Sequence, residues 1–301
     1  MPQDWRQEGF WEGPPAEQAS GKNAESLLYS RDRRLEILRL FQGELPMSIM
    51  AAKKIQRLDD IAHGTYAAKA RSGDDPRLSN IFDVSGQSVR NGALSMFPQN
   101  IGRAVLLLYS NVGDLVIDPF AGHNSRMALT VKEGRRYQGY DICAEFMTSN
   151  REEALKYPDA EIQLHQQDSR MMIYSASDSG DFTVTSPPYY DIEHYGDEPE
   201  QLGKLPSYES FLTDLGAICF ENHRVLKKGA YSVWFINDFR KDGVFHAYHM
   251  DLTALMLKAG FSLVDTMIVD LGYPIRAAFA NQIVEQKILP KRHEYGMVFK
   301  K

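Results

Sequence analysis

From about residue 95 onward, short apolar runs alternate with segments of helical periodicity, and this alternation constrains the fold more than any other feature. Strands that alternate with helices form βαβ units, which assemble into a parallel sheet with helices on both faces. Seven strands are predicted, at Asp114–Asp118, Tyr137–Asp141, Glu161–His165, Asp181–Thr185, Tyr231–Ile236, Ser262–Val269 and Glu294–Phe299. Helices are predicted at Ile101–Tyr109, Ser125–Glu133, Ala144–Lys156, Tyr208–Val225 and His246–Ala259. The predicted fold class is therefore α/β.

Residues 1–94 lack this alternation, and we expect them to form an N-terminal arm and a helical extension. Apolar side chains recur at helical spacing from Ala24 to Gln42, and a second helical pattern covers Pro46 to Arg71. Neither pattern carries a chemical motif. The predicted domains are thus the extension at 1–94 and a main domain at 95–301.

The formal net charge of −6 argues against a protein that simply coats nucleic acid, because non-specific affinity comes mainly from Lys and Arg that neutralise phosphates. Residues 1–90 hold 13 basic and 13 acidic side chains, so the acidic excess lies in the remainder. The basic side chains that could form a local track for a polyanion are Arg31, Arg33, Arg34, Lys53, Lys54 and Arg57. For any one of them, a solvated helix face is the alternative interpretation.

The composition argues against membrane association, secretion, and a metal or disulfide site. No apolar run approaches the roughly 20 residues that a membrane span requires, so no membrane partner is expected. The first residues show neither the apolar segment nor the clustered positive charge of a secretory signal, and a cytoplasmic location is expected. Cys143 and Cys219 are the only cysteines and lie in no Cys/His cluster, so neither a metal site nor a disulfide framework is expected.

The first candidate site is the turn Asp118-Pro119-Phe120-Ala121-Gly122, between a predicted strand and a predicted helix. Ligands of open parallel sheets bind beyond the carboxyl ends of the strands, and small residues there let the backbone approach a nucleotide-like cofactor. The next two strand ends carry acids that suit ribose hydroxyls and an adenine amino group, in the pairs Asp141 with Ile142 and Asp168 with Ser169. Each signal is weak alone, but the three in this order predict a cofactor site.

The second candidate site is Ser186-Pro187-Pro188-Tyr189, directly after the fourth predicted strand. Two prolines stiffen the turn and remove two backbone donors, so its carbonyl oxygens need other partners. An exocyclic amino group of a base fits this need, since the Ser186 hydroxyl and Pro187 carbonyl can accept its two N–H bonds. Tyr189 would stack on the base, which must leave a duplex to be reached. The alternative is a stiff turn with Tyr189 packed as ordinary core.

These motifs resemble those of the S-adenosylmethionine-dependent amino-methyltransferases that make N4-methylcytosine or N6-methyladenine in DNA. DPFAG resembles the cofactor motif of that family, and SPPY resembles its catalytic motif in the form associated more with cytosine N4, since Asp commonly replaces Ser for adenine. Phe97-Pro98 resembles the segment that completes the methionine pocket. The resemblance covers roughly residues 95–301 and implies a Rossmann-like seven-stranded sheet whose last strand is antiparallel.

The resemblance also implies roles for single positions. Phe120, Ala121 and Gly122 would lie beside S-adenosylmethionine, Asp141 would bind its ribose and Asp168 its adenine. The segment Ser186 to Tyr189 would hold the target amine of a base flipped out of DNA.

Two departures from the family pattern bear on these roles. His123-Asn124-Ser125 stands where Ser-Gly-Thr is usual, and we expect Asn124 to adopt the left-handed conformation of the missing glycine. The stretch DIEHYGDEPE after the corner is acidic where relatives face DNA, so it either covers the site or faces away from phosphate. No target-recognition domain is recognisable, and specificity is expected to be modest or helped by a homodimer.

The predicted function is methyl transfer from S-adenosylmethionine to the exocyclic amine of a base in DNA, with cytosine N4 favoured. Three alternatives remain open at this point. They are adenine N6 in DNA, an RNA amino-methyltransferase, and a catalytically silent cofactor-binding module that acts as a nucleic-acid-binding regulator.

Overall fold

A computed structural model describes residues 49–51, 97–192, 196, 198–270, 283, 285–289, 291 and 293–301 of the chain. The helical patterns at 24–42 and 46–71, the basic track and the boundary near residue 95 lie outside these residues, apart from 49–51. One short stretch inside the second pattern is therefore open to comparison.

An eight-stranded sheet organises the described residues. Its strands are β1 (Ile49–Ala51), β2 (Leu115–Asp118), β3 (Arg136–Asp141), β4 (Ile162–Gln166), β5 (Gly180–Thr185), β6 (Leu226–Ile236), β9 (Ser262–Asp270) and β10 (His293–Lys300), while β7 (Phe239–Lys241) and β8 (Val244–His246) form a separate hairpin. The order across the sheet is β1-β9-β10-β6-β5-β2-β3-β4. Only β10 runs antiparallel to its neighbours, β6 and β9. The seven predicted strands and the antiparallel last strand are confirmed, and the fold is the Rossmann-like α/β class.

Among the described residues, five α-helices with given bounds flank these strands, at α1 (Gln99–Tyr109), α2 (Ser125–Lys132), α3 (Ala144–Ala154), α4 (Tyr208–Val225) and α5 (Tyr248–Ala259). All five were predicted, with ends within two residues. Local chemistry sets several of these ends. The Ser207 side chain accepts a hydrogen bond from the Ser210 amide at the start of α4, and Gly260 ends α5 with φ of +107°. None of the helices among the described residues is both long and apolar enough to cross a membrane.

The central strands of the sheet are buried from solvent because helices cover both faces of the sheet. In β2 and β5 nearly every residue is buried, as expected for parallel strands that are covered on both faces. The largest core cluster lies between β6, β10, α4 and α5 and includes Trp234, Phe211 and Tyr248 with no solvent exposure. This rigid floor carries the loops at the carboxyl ends of β2, β3 and β5.

Two features of the sheet were not predicted. Residues Ile49–Ala51, placed in a helical pattern by the sequence, instead form β1 and pair in parallel with β9 at Ile268–Asp270. Hydrogen bonding to a sheet edge overrides weak helical periodicity there. The β7–β8 hairpin was also missed, although its Asp242-Gly243 turn, with φ of +50° and +80°, is a strong hairpin signal.

Candidate cofactor and target site

A single cavity at the carboxyl edge of the sheet brings both candidate sites together, within the part of the chain that the structure describes. Of the fifteen predicted site residues, those that line it are Phe97, Pro119, Phe120, Gly122, Asp141, Ile142, Asp168, Ser169, Ser186, Pro187, Pro188 and Tyr189. Three predicted residues, Pro98, Asp118 and Ala121, do not line it. Gly122 and Pro187 thus face one hollow, as the sequence required.

Asp118 lies behind the cavity rather than in it. Its carboxylate is fully buried and accepts hydrogen bonds from four groups of the protein, namely the Phe120 amide (3.1 Å), Arg126 Nε (2.8 Å), the Tyr137 hydroxyl (3.0 Å) and the Thr185 hydroxyl (2.6 Å). The sequence predicted Asp118 as a cofactor contact, but the hydrogen bonds that the structure shows for its carboxylate all come from the protein. Because Thr185 directly precedes Ser186, this one carboxylate ties the cofactor turn to the corner that follows β5.

The turn after β2 owes its shape to Gly122. Its φ is +50°, in the left-handed region, and its amide donates to Asp141 Oδ2 at 2.8 Å while its carbonyl accepts from Asn150 Nδ2 at 2.6 Å. Asn124 has φ of −61° and ψ of −6°, so the expectation that it replaces a left-handed glycine was wrong. Gly122 already makes the turn, and Asn124 is available to begin helix α2.

Ala121 packs under the turn and does not face the cavity. It is fully buried, its amide donates to the Tyr140 carbonyl at 2.8 Å, and a Cβ added at Gly139 would lie 3.0 Å from the Ala121 Cβ. Both small residues are needed because the turn rests directly on strand β3. A larger side chain at either position would push the turn away from the sheet.

Asp141, at the end of β3, combines burial with contact to the cavity. Its two oxygens accept from the Gly122 amide at 2.8 Å and the Cys143 amide at 2.9 Å. Burial raises its pKa from 3.8 to about 6, although these backbone hydrogen bonds oppose the shift. Each carboxylate oxygen has a further lone pair, so the side chain can still accept from the two hydroxyls of a ribose. This pair of acceptor oxygens fits the ribose of a nucleoside cofactor.

Asp168 and Ser169 line the same cavity and come after β4, the strand next to β3. Asp168 accepts from the Arg170 amide at 2.8 Å and from Arg170 Nε at 2.8 Å, and Arg170 also pairs with Asp214 on α4. The Ser169 hydroxyl donates to the Pro119 carbonyl. Charge pairing fixes the orientation of Asp168, while its remaining acceptor capacity suits an adenine amino group.

The corner after β5 is held from beneath by α5. The Tyr248 hydroxyl donates to the Pro188 carbonyl at 3.3 Å, and the Tyr189 ring packs edge-on against Tyr248 and Phe239, each at 6.0 Å between centroids. Among the described residues, no partner accepts from or donates to the Ser186 hydroxyl, and none donates to the Pro187 carbonyl. Two acceptors with open capacity therefore face the cavity beside a fixed aromatic ring.

Phe97 and Pro98 differ in their position. Phe97 is 7% exposed and lines the cavity, with its ring edge-on to Phe235 at 4.9 Å. A Cβ added at Gly102 would lie 2.3 Å from that ring, so glycine is what allows Phe97 to sit there. Pro98 instead begins α1, and its carbonyl accepts from Gly102 at 2.9 Å.

Sequence reasoning missed several residues of the cavity wall, which are His123, Ser125, Arg126, Phe146, Glu200, Gln201, Leu202, Ile218 and Glu294. The acidic stretch supplies part of this wall. Glu198 accepts from the Ala144 amide at the start of α3 at 2.9 Å and from Gln201 Nε2 at 3.1 Å. The end of the acidic stretch therefore forms part of the cavity wall near the start of α3, where a negative charge is stabilised by the helix N-terminus.

A sequence model of the N6/N4 methylase family, described as DNA methylase, matches residues 15–152. This range contains the Gly122 turn and Asp141 and stops before Ser186. A search of curated proteins finds no match.

Solved structures of methyltransferases resemble the chain. One, an S-adenosylmethionine-dependent methyltransferase from Methanosarcina mazei, is 15% identical, with 69% of this chain and 99% of that chain covered and a TM-score of 0.46. TrmN from Thermus thermophilus is 16% identical over 68% of this chain and 49% of its own, with a TM-score of 0.43. A candidate DNA modification methylase, also from Thermus thermophilus and solved with S-adenosyl-L-methionine, is 27% identical over 44% of this chain and 53% of its own, with a TM-score of 0.32.

The family match and the cofactor motif agree on residues that the structure brings together. The matched segment contains the left-handed Gly122 turn and the buried Asp141 carboxylate that it contacts. The antiparallel last strand is the one that the family resemblance implied. Over residues 15–152 the chain therefore resembles the N6/N4 DNA methylase family.

Proposed function

We propose that this protein methylates the exocyclic amino group of a base in DNA, with cytosine N4 the favoured target. The observation that carries the proposal is the shared cavity, which has the Gly122 turn on one side and the Ser186-Pro187 corner on the other. Ser186 as the first residue of the corner supports cytosine over adenine, because the family resemblance associates Ser with that base.

The cofactor side of the cavity is proposed to hold S-adenosylmethionine through Asp141, Asp168 and the turn backbone. Asp141 would accept from the ribose hydroxyls, and Asp168 from the adenine amino group. When bound, the cofactor supplies a sulfonium methyl group, which is the electrophile of the reaction. Phe97 and Phe120 exclude water from that side of the cavity.

The target side is proposed to activate a poor nucleophile by hydrogen bonding. The lone pair of an exocyclic amine is delocalised into the ring, so the nitrogen must pyramidalise before it attacks. Acceptance of its two N–H bonds by the Ser186 hydroxyl and the Pro187 carbonyl favours that geometry. A C–N bond then forms as the S–CH3 bond breaks, and the surplus proton leaves the nitrogen for solvent.

Tyr189 is proposed to hold the flipped base in place. A base taken out of the helix loses its stacking energy, and an aromatic platform restores about 1–3 kcal/mol of it. The Tyr189 ring is well suited because the edge contacts with Phe239 and Tyr248 fix its plane before the base arrives. Pre-organisation of this kind lowers the entropic cost of positioning the target.

The test is to incubate the protein with methyl-labelled cofactor and either DNA or RNA, and to identify modified nucleosides by mass spectrometry. N4-methylcytosine from DNA supports the proposal in full. N6-methyladenine from DNA changes the target base alone. Label found in RNA and never in DNA contradicts the proposed substrate.

A further inference from the structure

The hairpin that follows β6 carries an exposed aromatic ring flanked by positive charge. Phe245 is 44% exposed, with the Arg240 guanidinium 5.0 Å and the Lys291 ammonium 4.7 Å from its ring centroid. Val244 beside it is 57% exposed. We call Arg240, Val244, Phe245 and Lys291 the hairpin surface.

The base of this hairpin is anchored in the core. Phe239 is 8% exposed, stacks on His246 at 4.9 Å and packs edge-on against Tyr208 at 5.9 Å. The two strands close through the Asp242-Gly243 turn, which needs no further support. A hairpin whose base is buried and whose outer part exposes apolar side chains beside cations is typical of an element that contacts a partner.

The hairpin is also joined to the corner after β5. Phe239 packs on Tyr189, and Lys241 Nζ contacts the Asp191 carboxylate at 2.5 Å and its carbonyl at 3.2 Å. A strand rises about 3.3 Å per residue, so the three residues of β7 extend about 10 Å from Phe239, which packs on Tyr189. Successive nucleotides of one DNA strand lie about 3.4 Å apart, so the tip reaches within roughly three nucleotides of a base held at Tyr189.

We infer that the hairpin surface is a binding site for the DNA strand that flanks the target base, with Phe245 stacking on a base or sugar and Arg240 and Lys291 contacting phosphates. This inference rests on the proposed function. Charge complementarity selects the partner, because the chain as a whole carries −6 whereas this surface joins two cations to an aromatic ring. Aromatic stacking combined with cationic contacts is how proteins hold nucleic acid strands without reading their sequence.

Charged neighbours on the surface limit the number of phosphate contacts. Asp242 lies in the turn of the hairpin. Lys291 Nζ lies 3.8 Å from Asp238 Oδ2, and the other carboxylate oxygen of Asp238 contacts His249 Nδ1. Lys241 is paired with Asp191. Arg240 is therefore the main phosphate contact that we infer, with Lys291 second.

The test compares Phe245→Ala and the double variant Arg240→Ala/Lys291→Ala with the wild type. DNA affinity is measured by fluorescence anisotropy on a short duplex at several salt concentrations, and cofactor affinity by calorimetry. Phe245→Ala is expected to weaken DNA binding about tenfold with little change in salt dependence. The double variant is expected to lower the slope of log affinity against log salt by about 1–2. Cofactor affinity stays within about twofold in both variants, since none of the three side chains lines the cavity.

Matched controls come from surfaces away from the cavity. Phe220 on α4 is 48% exposed, and Arg151 on α3 and Lys258 on α5 are exposed cations. Phe220→Ala and Arg151→Ala/Lys258→Ala are expected to bind DNA as the wild type does. A Phe245→Trp variant keeps an aromatic ring and is expected to retain affinity.

Three results would overturn this inference. If the wild type methylates DNA and both hairpin variants bind DNA as tightly as the controls, the hairpin does not contact the strand and the proposed function stands. If the variants lose cofactor affinity as much as DNA affinity, the hairpin supports the fold instead. A wild type that neither binds nor methylates DNA overturns the proposed function as well.

Discussion

Two carboxylates at neighbouring strand ends do different work because their surroundings differ. Asp118 is fully enclosed by four donors, including the Arg126 guanidinium, whereas Asp141 has two backbone donors and faces the cavity. The sequence predicted both as cofactor contacts, since a strand-end acid next to a glycine turn carries the same signal in either case. Only the tertiary structure shows that Arg126 and Thr185 donate hydrogen bonds to Asp118.

Replacement of Asp118 by Asn is expected to destabilise the fold strongly. The change leaves the buried Arg126 charge without its partner, at a cost of about 3–5 kcal/mol in the free energy of unfolding. Urea denaturation measures this cost. Asp178→Asn removes an exposed contact with Lys301 and is expected to leave the urea midpoint essentially unchanged. Equal midpoints for the two variants would argue against the supporting role of Asp118.

Cofactor affinity is expected to fall in acid because of Asp141. Its pKa is raised from 3.8 to about 6 by burial, so the free protein holds a proton there below pH 6, and a carboxylate that accepts from ribose hydroxyls must first release it. Affinity should therefore be about tenfold weaker at pH 5 than at pH 7. By the same linkage, the contribution of Asp141 to stability is largest below about pH 4 and declines as the pH rises through 6.

The affinity for S-adenosylhomocysteine, measured by calorimetry between pH 5 and pH 7, checks this pH dependence. That interval extends about one pH unit to each side of the raised pKa of Asp141. Asp141→Asn cannot titrate and is expected to bind weakly with a flat pH profile. Any slope that remains in this variant belongs to another group of the protein. An unchanged slope in Asp141→Asn would exclude Asp141 as the titrating group.

Removal of the Tyr189 ring is expected to separate chemistry from cofactor binding. Tyr189→Ala should slow methyl transfer by about ten- to a hundredfold, because the flipped base loses its platform, while the cofactor dissociation constant changes little. Tyr189→Phe keeps the ring and should retain most of the rate. Single-turnover assays and calorimetry provide the two readouts. Parallel losses in both would show that Tyr189 supports the cavity as a whole.

Helix α3 and the end of the acidic stretch are joined beside the cavity by one hydrogen bond, from the Ala144 amide to Glu198. Glu198 caps the first turn of α3, close in sequence to Asp141 and Ile142, and the chain then continues into Glu200, Gln201 and Leu202 of the cavity wall. An acidic stretch after the corner had two interpretations from sequence, as cover for the site or as a surface turned away from phosphate. The described part of it favours cover, because a carboxylate at a helix N-terminus is stabilised there.

Loss of this cap is expected to weaken cofactor binding. Glu198→Ala releases the segment that leads to Gln201, and we expect the cofactor affinity to drop by about three- to fivefold. Glu145→Ala removes a first-turn charge from the same helix and serves as the control. Calorimetry gives the affinities, and hydrogen exchange at residues 198–204 should increase for Glu198→Ala alone. No change in either quantity would remove Glu198 from the cofactor wall.

The predicted helices and strands match the structure where the apolar pattern was long. They differ from it where pairing with a distant strand determined the local structure. The central strands β2 and β5 are buried almost throughout, and the Ser207 cap marks the start of α4. Ile49–Ala51 became a strand because the edge of β9 was open to it, which no local pattern records. The β7–β8 hairpin was predictable from Asp242-Gly243, since both positions require positive φ.

For the molecule as a whole, one sheet edge gathers residues that are far apart in sequence. Gly122 and Pro187 face the same cavity because β2 and β5 are adjacent and parallel, so their carboxyl ends coincide. That meeting was predictable from the strand pattern and the two motifs. The wall residues Glu200, Ile218 and Glu294 were not, because no motif marks them and they come from a loop, a helix and the antiparallel strand.

The central claim is that methyl donor and target amine share this cavity, and a crystal structure with bound S-adenosylhomocysteine tests it most directly. The account predicts ribose hydroxyls within hydrogen-bond distance of Asp141, and a sulfur atom that faces Ser186 and Pro187 across the hollow. A cofactor bound elsewhere, or one whose sulfur points away from that corner, would contradict it.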